Sequence, residues 1–146
     1  MKTIAQQIKW DFEANGDLEI RDKNGKEIYF EDSNGFWIKF ERDSQGEQIY
    51  YEDSDRYWAK YEYDSQGHRI YFETSGGYWE KQEWDSQGNE IYYENSNKYW
   101  AKWERDSQGR QIYYENSNGQ IKDNRPKPCE NKVVEIDGEK FKLVKV

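Results

Sequence analysis

Hydrophobic and polar residues alternate along most of the chain in short runs that end at polar turns. The run Trp58–Tyr63 reads WAKYEY, which is rich in aromatic residues and free of glycine and proline, as strands prefer. The tetrapeptide DSQG follows at 64–67 and predicts a type I turn with a glycine bulge. The run RIYFE at 69–73 predicts the returning strand. Since no segment shows the 3.6-residue period of a helix, the pattern predicts an all-β chain.

This hairpin recurs with a period of 21 residues. DSQG begins at 43, 64, 85 and 106, and DKNG begins one step upstream at 22. Because a single hairpin is marginally stable in water, each unit must support its neighbours. The sequence therefore predicts an antiparallel meander of hairpin repeats in one elongated, twisted sheet. Four columns keep the interval: Ile28, Ile49, Ile70, Ile91 and Ile112; Trp37, Trp58, Trp79 and Trp100; Lys39, Lys60, Lys81 and Lys102; Glu41, Glu62, Glu83 and Glu104.

The pattern divides the chain into four segments. Residues 1–21 are predicted to form an irregular N-terminal hairpin cap with an NG turn, and residues 22–121 the repeat array. Residues 122–131 contain both prolines and are interpreted as a connector. Residues 132–146 hold a DG pair between two apolar runs, which predicts a hairpin that caps the array or docks elsewhere.

Pairing across the DSQG turn predicts which side chains share a face. If Gly67 forms the bulge, Asp64 pairs with His68, and Glu62 then pairs with Ile70. The tryptophan, lysine, glutamate and isoleucine columns would lie together on one face, the first face, where each unit has the same residue types. We expect the first face to be the packed one, because packed positions tolerate little change. The second face varies between units, and we expect it to meet solvent or a partner.

Aromatic residues of this second face are the candidate binding residues. Stacked rings there suit a sugar, a choline-like cation or a protein partner, or they shield the second side of a thin sheet. The predicted set is Tyr61, Tyr63, Tyr71, Trp84, Tyr92, Trp103 and Tyr113.

Composition and charge narrow the class of protein. A mean hydropathy of -1.41 and 36% charged residues are typical of disorder, but 18% aromatic residues indicate an ordered chain. The formal net charge of -8 disfavours nucleic acid binding and favours a basic protein partner. Without an apolar run of transmembrane length or a secretory signal, the expected location is the cytoplasm, although a domain cut from a secreted precursor would look the same.

Residues capable of chemistry are sparse. His68 at a turn is interpreted as a solvated side chain, and Cys129 in the connector as a plain thiol. The turn aspartates fit turn capping better than calcium binding. The glutamate column containing Glu41 fits a charge ladder with lysine better than a glycosidase pair. We therefore expect no catalytic residue, metal or cofactor.

Three repeat families share parts of this pattern. The stretch at 63–88 is YDSQGHRIYFETSGGYWEKQEWDSQG, and it resembles the YD repeats of the RHS class. Tyr63 and Asp64 match the name-giving dipeptide, and Trp84 with Asp85 is a near match. The resemblance implies a long meandering sheet rather than an activity. The array is also similar to MORN repeats, and GFWIKFERDSQGEQIYYEDS at 35–54 is similar to choline-binding and glucan-binding repeats.

These observations favour a non-enzymatic protein-binding scaffold with an acidic, aromatic face. An inhibitor or decoy carried by a phage or mobile element is one hypothesis for such a protein. The alternative is a carbohydrate- or choline-binding module, and a third possibility is a structural spacer. Exposed sheet edges also suggest an edge-to-edge homodimer.

Overall fold

The front of the chain is helical. The computed structural model describes residues 2–126 and 132–143, and it begins with two short helices, α1 (Ile4–Ile8) and α2 (Phe12–Asn15). The predicted irregular hairpin in this region is therefore wrong. Both helices are set by local capping and are too short to show a period of 3.6 residues.

Side chains at the first residues explain where these helices begin. Thr3 accepts a hydrogen bond from the Gln6 backbone N–H, and the Gln6 side chain accepts one from the Thr3 backbone, which completes a capping box. Asp11 accepts from the backbone N–H groups of Glu13 and Ala14 at the start of α2.

Thirteen strands follow in the described residues. The first eleven pair in chain order as one antiparallel sheet that does not close, and the last two form a separate sheet. The predicted all-β meander is confirmed. The strands are β1 Leu18–Arg21, β2 Glu27–Glu31, β3 Trp37–Arg42, β4 Gln48–Asp53, β5 Trp58–Tyr63, β6 Arg69–Thr74, β7 Trp79–Trp84, β8 Glu90–Asn95, β9 Trp100–Arg105, β10 Gln111–Asn116, β11 Ile121–Asp123, β12 Val133–Ile136 and β13 Glu139–Lys142.

The DSQG turns have the predicted geometry. The Gly67 backbone N–H donates to the Asp64 carbonyl at 3.1 Å, and the Asp64 N–H donates to the His68 carbonyl at 2.9 Å. The Asp64 carboxylate accepts from the backbone N–H groups of Gln66 and His68. Gly67 has a φ of 87°, the left-handed conformation that completes a type I turn with a glycine bulge.

Each returning strand of the array contains a second bulge that the sequence interpretation missed. Tyr63 pairs with Arg69 and Glu62 pairs with Tyr71, so Ile70 is an extra residue. The other isoleucines of the column are skipped in the same way. The predicted pairing of Glu62 with Ile70 is therefore wrong by one residue, and beyond the bulge every side chain lies on the opposite face from the one predicted.

The observed pairing defines two faces. The regular face repeats the same residues in every unit, whereas the varied face changes. In the β5–β6 hairpin the regular face carries Trp58, Lys60, Glu62, Tyr71 and Glu73, and the varied face carries Ala59, Tyr61, Tyr63, Arg69, Phe72 and Thr74.

Burial differs between the two faces. At the front, α1 packs on the regular face and buries Ala5, Leu18 and Tyr29 together. Among the described residues of the array interior, the buried side chains are short ones of the varied face, lying between aromatic neighbours: Ala59, Thr74, Ala101 and Asn116. The expectation that the regular face is the packed one is therefore wrong beyond the first hairpin.

The C-terminal hairpin predicted around the DG pair is confirmed. Strands β12 and β13 pair across Asp137 and Gly138, both at positive φ. The apolar residues Val133 and Ile136 are 61% and 55% exposed, and the capping of the array by this hairpin stays a prediction. Strand β11 occupies the start of the predicted connector, and Cys129 lies outside the described residues.

Candidate protein-binding face

The seven predicted binding residues do not share one face. The expectation of a single aromatic site is wrong because the isoleucine bulge reverses the returning strands. Tyr61, Tyr63, Trp84 and Trp103 lie on the varied face, whereas Tyr71, Tyr92 and Tyr113 lie on the regular face.

The regular face consists of repeated cells, each built by two neighbouring strands. In the cell on β4 and β5, Tyr50 pairs with Lys60 and Glu52 pairs with Trp58. The Tyr50 hydroxyl donates to the Glu52 carboxylate at 2.8 Å. We call these units Tyr–Glu cells. The first is Tyr29, Glu31, Trp37 and Lys39; the inner cells are Tyr50, Glu52, Trp58 and Lys60, then Tyr71, Glu73, Trp79 and Lys81, then Tyr92, Glu94, Trp100 and Lys102; the last is Tyr113 and Glu115.

The hydroxyl–carboxylate bond recurs along the sheet. Tyr29 donates to Glu31 at 2.8 Å, Tyr92 to Glu94 at 3.1 Å and Tyr113 to Glu115 at 2.9 Å. Burial and the bond to Glu52 raise the pKa of Tyr50 to about 12. Each hydroxyl therefore remains a proton donor to its glutamate at neutral pH.

Lysine side chains lie over the indole rings of the inner cells. The Nζ atoms of Lys60, Lys81 and Lys102 are 5.1, 5.3 and 5.2 Å from the ring centroids of the tryptophans two residues before them, within the range of a cation–π contact. Each unit adds one lysine and two glutamates to this face. The regular face is consequently the acidic, aromatic one.

A shallow groove runs between the cells. Next to the cell on β4 and β5 it has a volume of about 540 Å³ and is lined by Tyr50, Lys60, Glu62 and Ile70, and at its margin by Tyr61 and Tyr63 of the varied face. Ile70 also lines the next groove together with Glu62, Tyr71 and Lys81. The bulge thus places an apolar side chain between acidic and aromatic ones on the regular face.

On the varied face, polar side chains bond to one another around Glu80. Glu80 pairs with Arg69 at 2.8 Å and accepts hydrogen bonds from the hydroxyls of Tyr78 at 2.7 Å and Tyr93 at 3.2 Å. The hydrogen bonds with Tyr93 and Glu80 raise the pKa of Tyr78. Gln82 donates to Glu90 at 2.9 Å.

His68 and Trp84 form a stack that the sequence did not reveal. Their ring centroids are 4.9 Å apart, and the indole N–H of Trp84 donates to the Arg69 carbonyl at 3.0 Å. His68 Nδ1 lies 3.0 Å from Asp64. His68 is therefore a half-buried packing residue rather than a solvated one, and it holds Trp84 in place. These residues meet only through the strand register, which leaves no local sequence signal.

Metal-binding clusters and membrane-spanning helices are both absent from the part of the chain that the structure describes. No cluster of three or more His, Cys, Asp or Glu residues that could hold a metal ion is present in residues 2–126 and 132–143. Within the same ranges, every helix is too short or too polar to cross a membrane.

Comparison with known proteins shows the class of fold. No family model matches the chain, and no curated protein matches it. The crystal structure of TcdB2-TccC3-TEV superposes with a TM-score of 0.54 at 15% identity, covering 69% of this chain and 5% of that one. The Tc holotoxin pore of Photorhabdus luminescens gives a TM-score of 0.54 at 14% identity, covering 70% and 7%.

These likenesses show the fold alone. The chain corresponds to a small part of each toxin chain, and TccC3 contains RHS/YD repeats arranged as an antiparallel meander. The chain is therefore a β-hairpin repeat protein.

Proposed function

We propose that the chain is a non-enzymatic scaffold of RHS/YD-like repeats that binds a basic protein through its regular face. One observation carries the proposal: the same acidic, aromatic cell recurs along one face of the sheet from β4 to β9. Aromatic rings at a surface offer large contact areas at a small entropy cost.

The varied face supplies an internal comparison. It holds the same sheet together with different residues in each unit, such as Tyr61, Gln82 and Trp103 in one column. Packing of this sheet therefore tolerates substitution. The regular face has the same residues in each unit, and repeated binding contacts explain this better than packing does. A partner that spans several cells would bind with higher avidity through such repeated contacts.

Charge favours the basic class of partner. Each unit of the regular face adds a net negative charge, which attracts a basic protein and speeds its association. The alternative, a choline-binding module, needs an open cation site on an aromatic ring. The rings of Trp58, Trp79 and Trp100 already have lysine ammonium groups over them, which disfavours that alternative.

A role as an inhibitor or decoy carried by a phage or mobile element, and a cytoplasmic location, are further hypotheses that rest on the size and charge of the chain. The same holds for an edge-to-edge homodimer, in which the short edge strand β11 would pair with another chain.

Charge reversal on each side of the sheet tests the proposal. Proteins retained from a native lysate by the immobilised chain are compared between wild type, Glu62→Lys with Glu83→Lys on the regular face, and the matched control Glu47→Lys with Asp55→Lys at turn tips. Cross-linking with mass spectrometry maps the contact. Loss of retention only in the regular-face variant, with cross-links to that face, is expected.

Two results would contradict the proposal. Equal retention by both variants, or cross-links confined to the varied face, would remove the regular face as the binding surface. A saturable change of tryptophan fluorescence on titration with choline or an oligosaccharide would favour the alternative module instead.

A further inference from the structure

The first Tyr–Glu cell is occupied by the start of a helix. Thr3 Oγ1 donates to one oxygen of Glu31 at 2.5 Å, and the Ala5 backbone N–H donates to the other at 2.9 Å. The Tyr29 hydroxyl donates to that second oxygen at 2.8 Å. Glu31 is 2% exposed and Ala5 is 3% exposed. This cell therefore binds the first turn of α1 through a buried carboxylate with three donors.

The chemistry of this contact is general. The first N–H groups of a helix have no partner within the helix, so a carboxylate facing them completes their hydrogen bonding. The methyl side chain of Ala5 allows the backbone of α1 to approach the ring of Tyr29, which is buried with it. A Tyr–Glu cell is thus shaped for a capped helix start with a small residue in its first turn.

The last cell is covered as well, by a cation. The guanidinium of Arg125 lies 4.0 Å from the ring centroid of Tyr113 and pairs with Glu104 and Asp123. The chain thus covers both end cells with hydrogen-bond donors.

Within the described residues, the hydrogen bonds given to Glu52 and Glu94 come from Tyr50 at 2.8 Å and Tyr92 at 3.1 Å, and Lys81 pairs with Glu94 at 3.5 Å. Glu52 also lines a cavity beside Lys2 and Ile4.

The inner cells differ from the first in the neighbours of the Tyr–Glu pair. Leu18 and Ile20 pair with Glu31 and Tyr29 in the first cell. At the inner cell of Tyr50 and Glu52 these positions are Lys39 and Glu41. The apolar side chains that α1 buries are thus replaced by Lys39 and Glu41, which pair with each other at 2.7 Å, so the matching helix start is polar rather than apolar.

Spacing indicates a helical partner. Neighbouring cells lie two strands apart, which is about 10 Å for a hydrogen-bonded sheet. Packed helices lie about 8–10 Å apart. Successive cells therefore match the first turns of neighbouring helices in one protein.

We propose that the three inner Tyr–Glu cells bind the first turns of neighbouring α-helices in a basic helical protein, with helix N–H groups donating to Glu52, Glu73 and Glu94. This inference rests on the proposed function and names the class of partner.

A peptide derived from α1 tests the inference. The probe is a synthetic peptide of residues 2–13 with Ile4→Arg, added to the full-length chain labelled with ¹⁵N. Indole N–H signals of Trp58, Trp79 and Trp100 on the regular face are expected to shift saturably, while those of Trp84 and Trp103 on the varied face stay unchanged. A control peptide with the further changes Thr3→Val and Ala5→Leu is expected to bind at least about tenfold more weakly, a loss of about 1.4 kcal/mol.

Variants of the chain locate the site. Glu73→Gln with Glu94→Gln is expected to weaken the probe at least about tenfold. The control Glu47→Gln with Asp55→Asn removes the same charge at exposed turn tips, and it is expected to retain binding within about threefold.

Several outcomes would overturn the inference: equal affinity for both peptides, equal loss in both pairs of variants, shifts confined to the varied face, or no shift up to about 1 mM peptide. If lysate proteins still depend on Glu62 and Glu83 while the peptide has no effect, the helix-start inference fails and the binding function stands. If neither binds the regular face, the binding function itself fails.

Discussion

At the residue scale, two of the second turns of the hairpins place a side chain in the left-handed region of the backbone. Arg56 and Lys98 have φ values of 68° and 64°, whereas Gly77 has 78° at the corresponding position. All three turns close with the same hydrogen bonds. A side chain in this left-handed region costs about 1–2 kcal/mol, which glycine avoids.

The change Lys98→Gly is therefore expected to stabilise the protein by about 0.5–1 kcal/mol, because the relief of strain exceeds the extra entropy of glycine in the unfolded chain. Denaturant unfolding measures the difference. The reciprocal change Gly77→Ala should destabilise by a similar amount, and a lower stability for Lys98→Gly would contradict the assignment of strain.

The tyrosines of the regular face predict sensitivity to alkali. Burial and the hydrogen bond to Glu52 raise the pKa of Tyr50 to about 12 from 10.0, so the folded state holds this proton more tightly than the unfolded state. The stability contributed by this group is complete below pH 10.0 and is lost as the pH rises towards about 12.

The melting temperature is expected to fall between neutral pH and about pH 12, and the fall is expected to be smaller in Tyr50→Phe, which has no hydroxyl to ionise at this position. Tyr57→Phe, at an exposed ring, is the control. An unchanged pH profile for Tyr50→Phe would contradict the raised pKa.

At the element scale, the hairpins and their turns could be predicted because each has a local signal. DSQG fixes the turn, and aromatic runs fix the strands. The bulge at Ile70 could not be found from the period, since a bulge repeated in every unit leaves a period of 21 residues unchanged. Its only signal is the adjacent apolar set Ile70, Tyr71 and Phe72, which breaks the alternation expected of a strand.

The docking of α1 on Glu31 can be tested by the same substitution at two equivalent glutamates, only one of which contacts the helix. Glu31→Gln is expected to destabilise by about 1.5–3 kcal/mol, because it weakens three hydrogen bonds to a buried carboxylate. Glu73→Gln, at the half-buried equivalent, is expected to cost less than about 1 kcal/mol. Hydrogen exchange at the Ala5 amide should rise only in the first variant, and equal effects of the two changes would contradict the docking.

At the scale of the whole molecule, stability is spread along a single sheet in which each hairpin contacts only its neighbours. The stability of such an array is approximately the sum of the stabilities of its units and of the interfaces between neighbouring units. Deletion of residues 64–84 joins Tyr63 to Asp85 and removes one full unit. This shortened chain is expected to fold cooperatively with a somewhat lower melting temperature.

Deletion of residues 64–83 is the control, because a frame of 20 residues moves the following strands by one position and exchanges their faces. Circular dichroism and cooperative melting distinguish the two. Equal folding of both deletions would contradict a register set by the 21-residue period.

The candidate site was predictable only in part at this scale. The aromatic residues that line the faces were evident from the columns, and four of the seven candidates lie on the face expected. The others, Tyr71, Tyr92 and Tyr113, lie on the regular face, because one extra residue in each returning strand reverses its side chains. Occupation of the first cell by α1 was not predictable, since it joins segments more than 20 residues apart.

Cross-strand nuclear Overhauser effects in the β7–β8 hairpin measure the pairing on which both faces depend. The account predicts backbone contacts between Glu83 and Tyr92 and between Lys81 and Glu94. Contacts between Glu83 and Ile91 and between Lys81 and Tyr93 would show a strand without the isoleucine bulge, and they would contradict the assignment of every cell on the regular face.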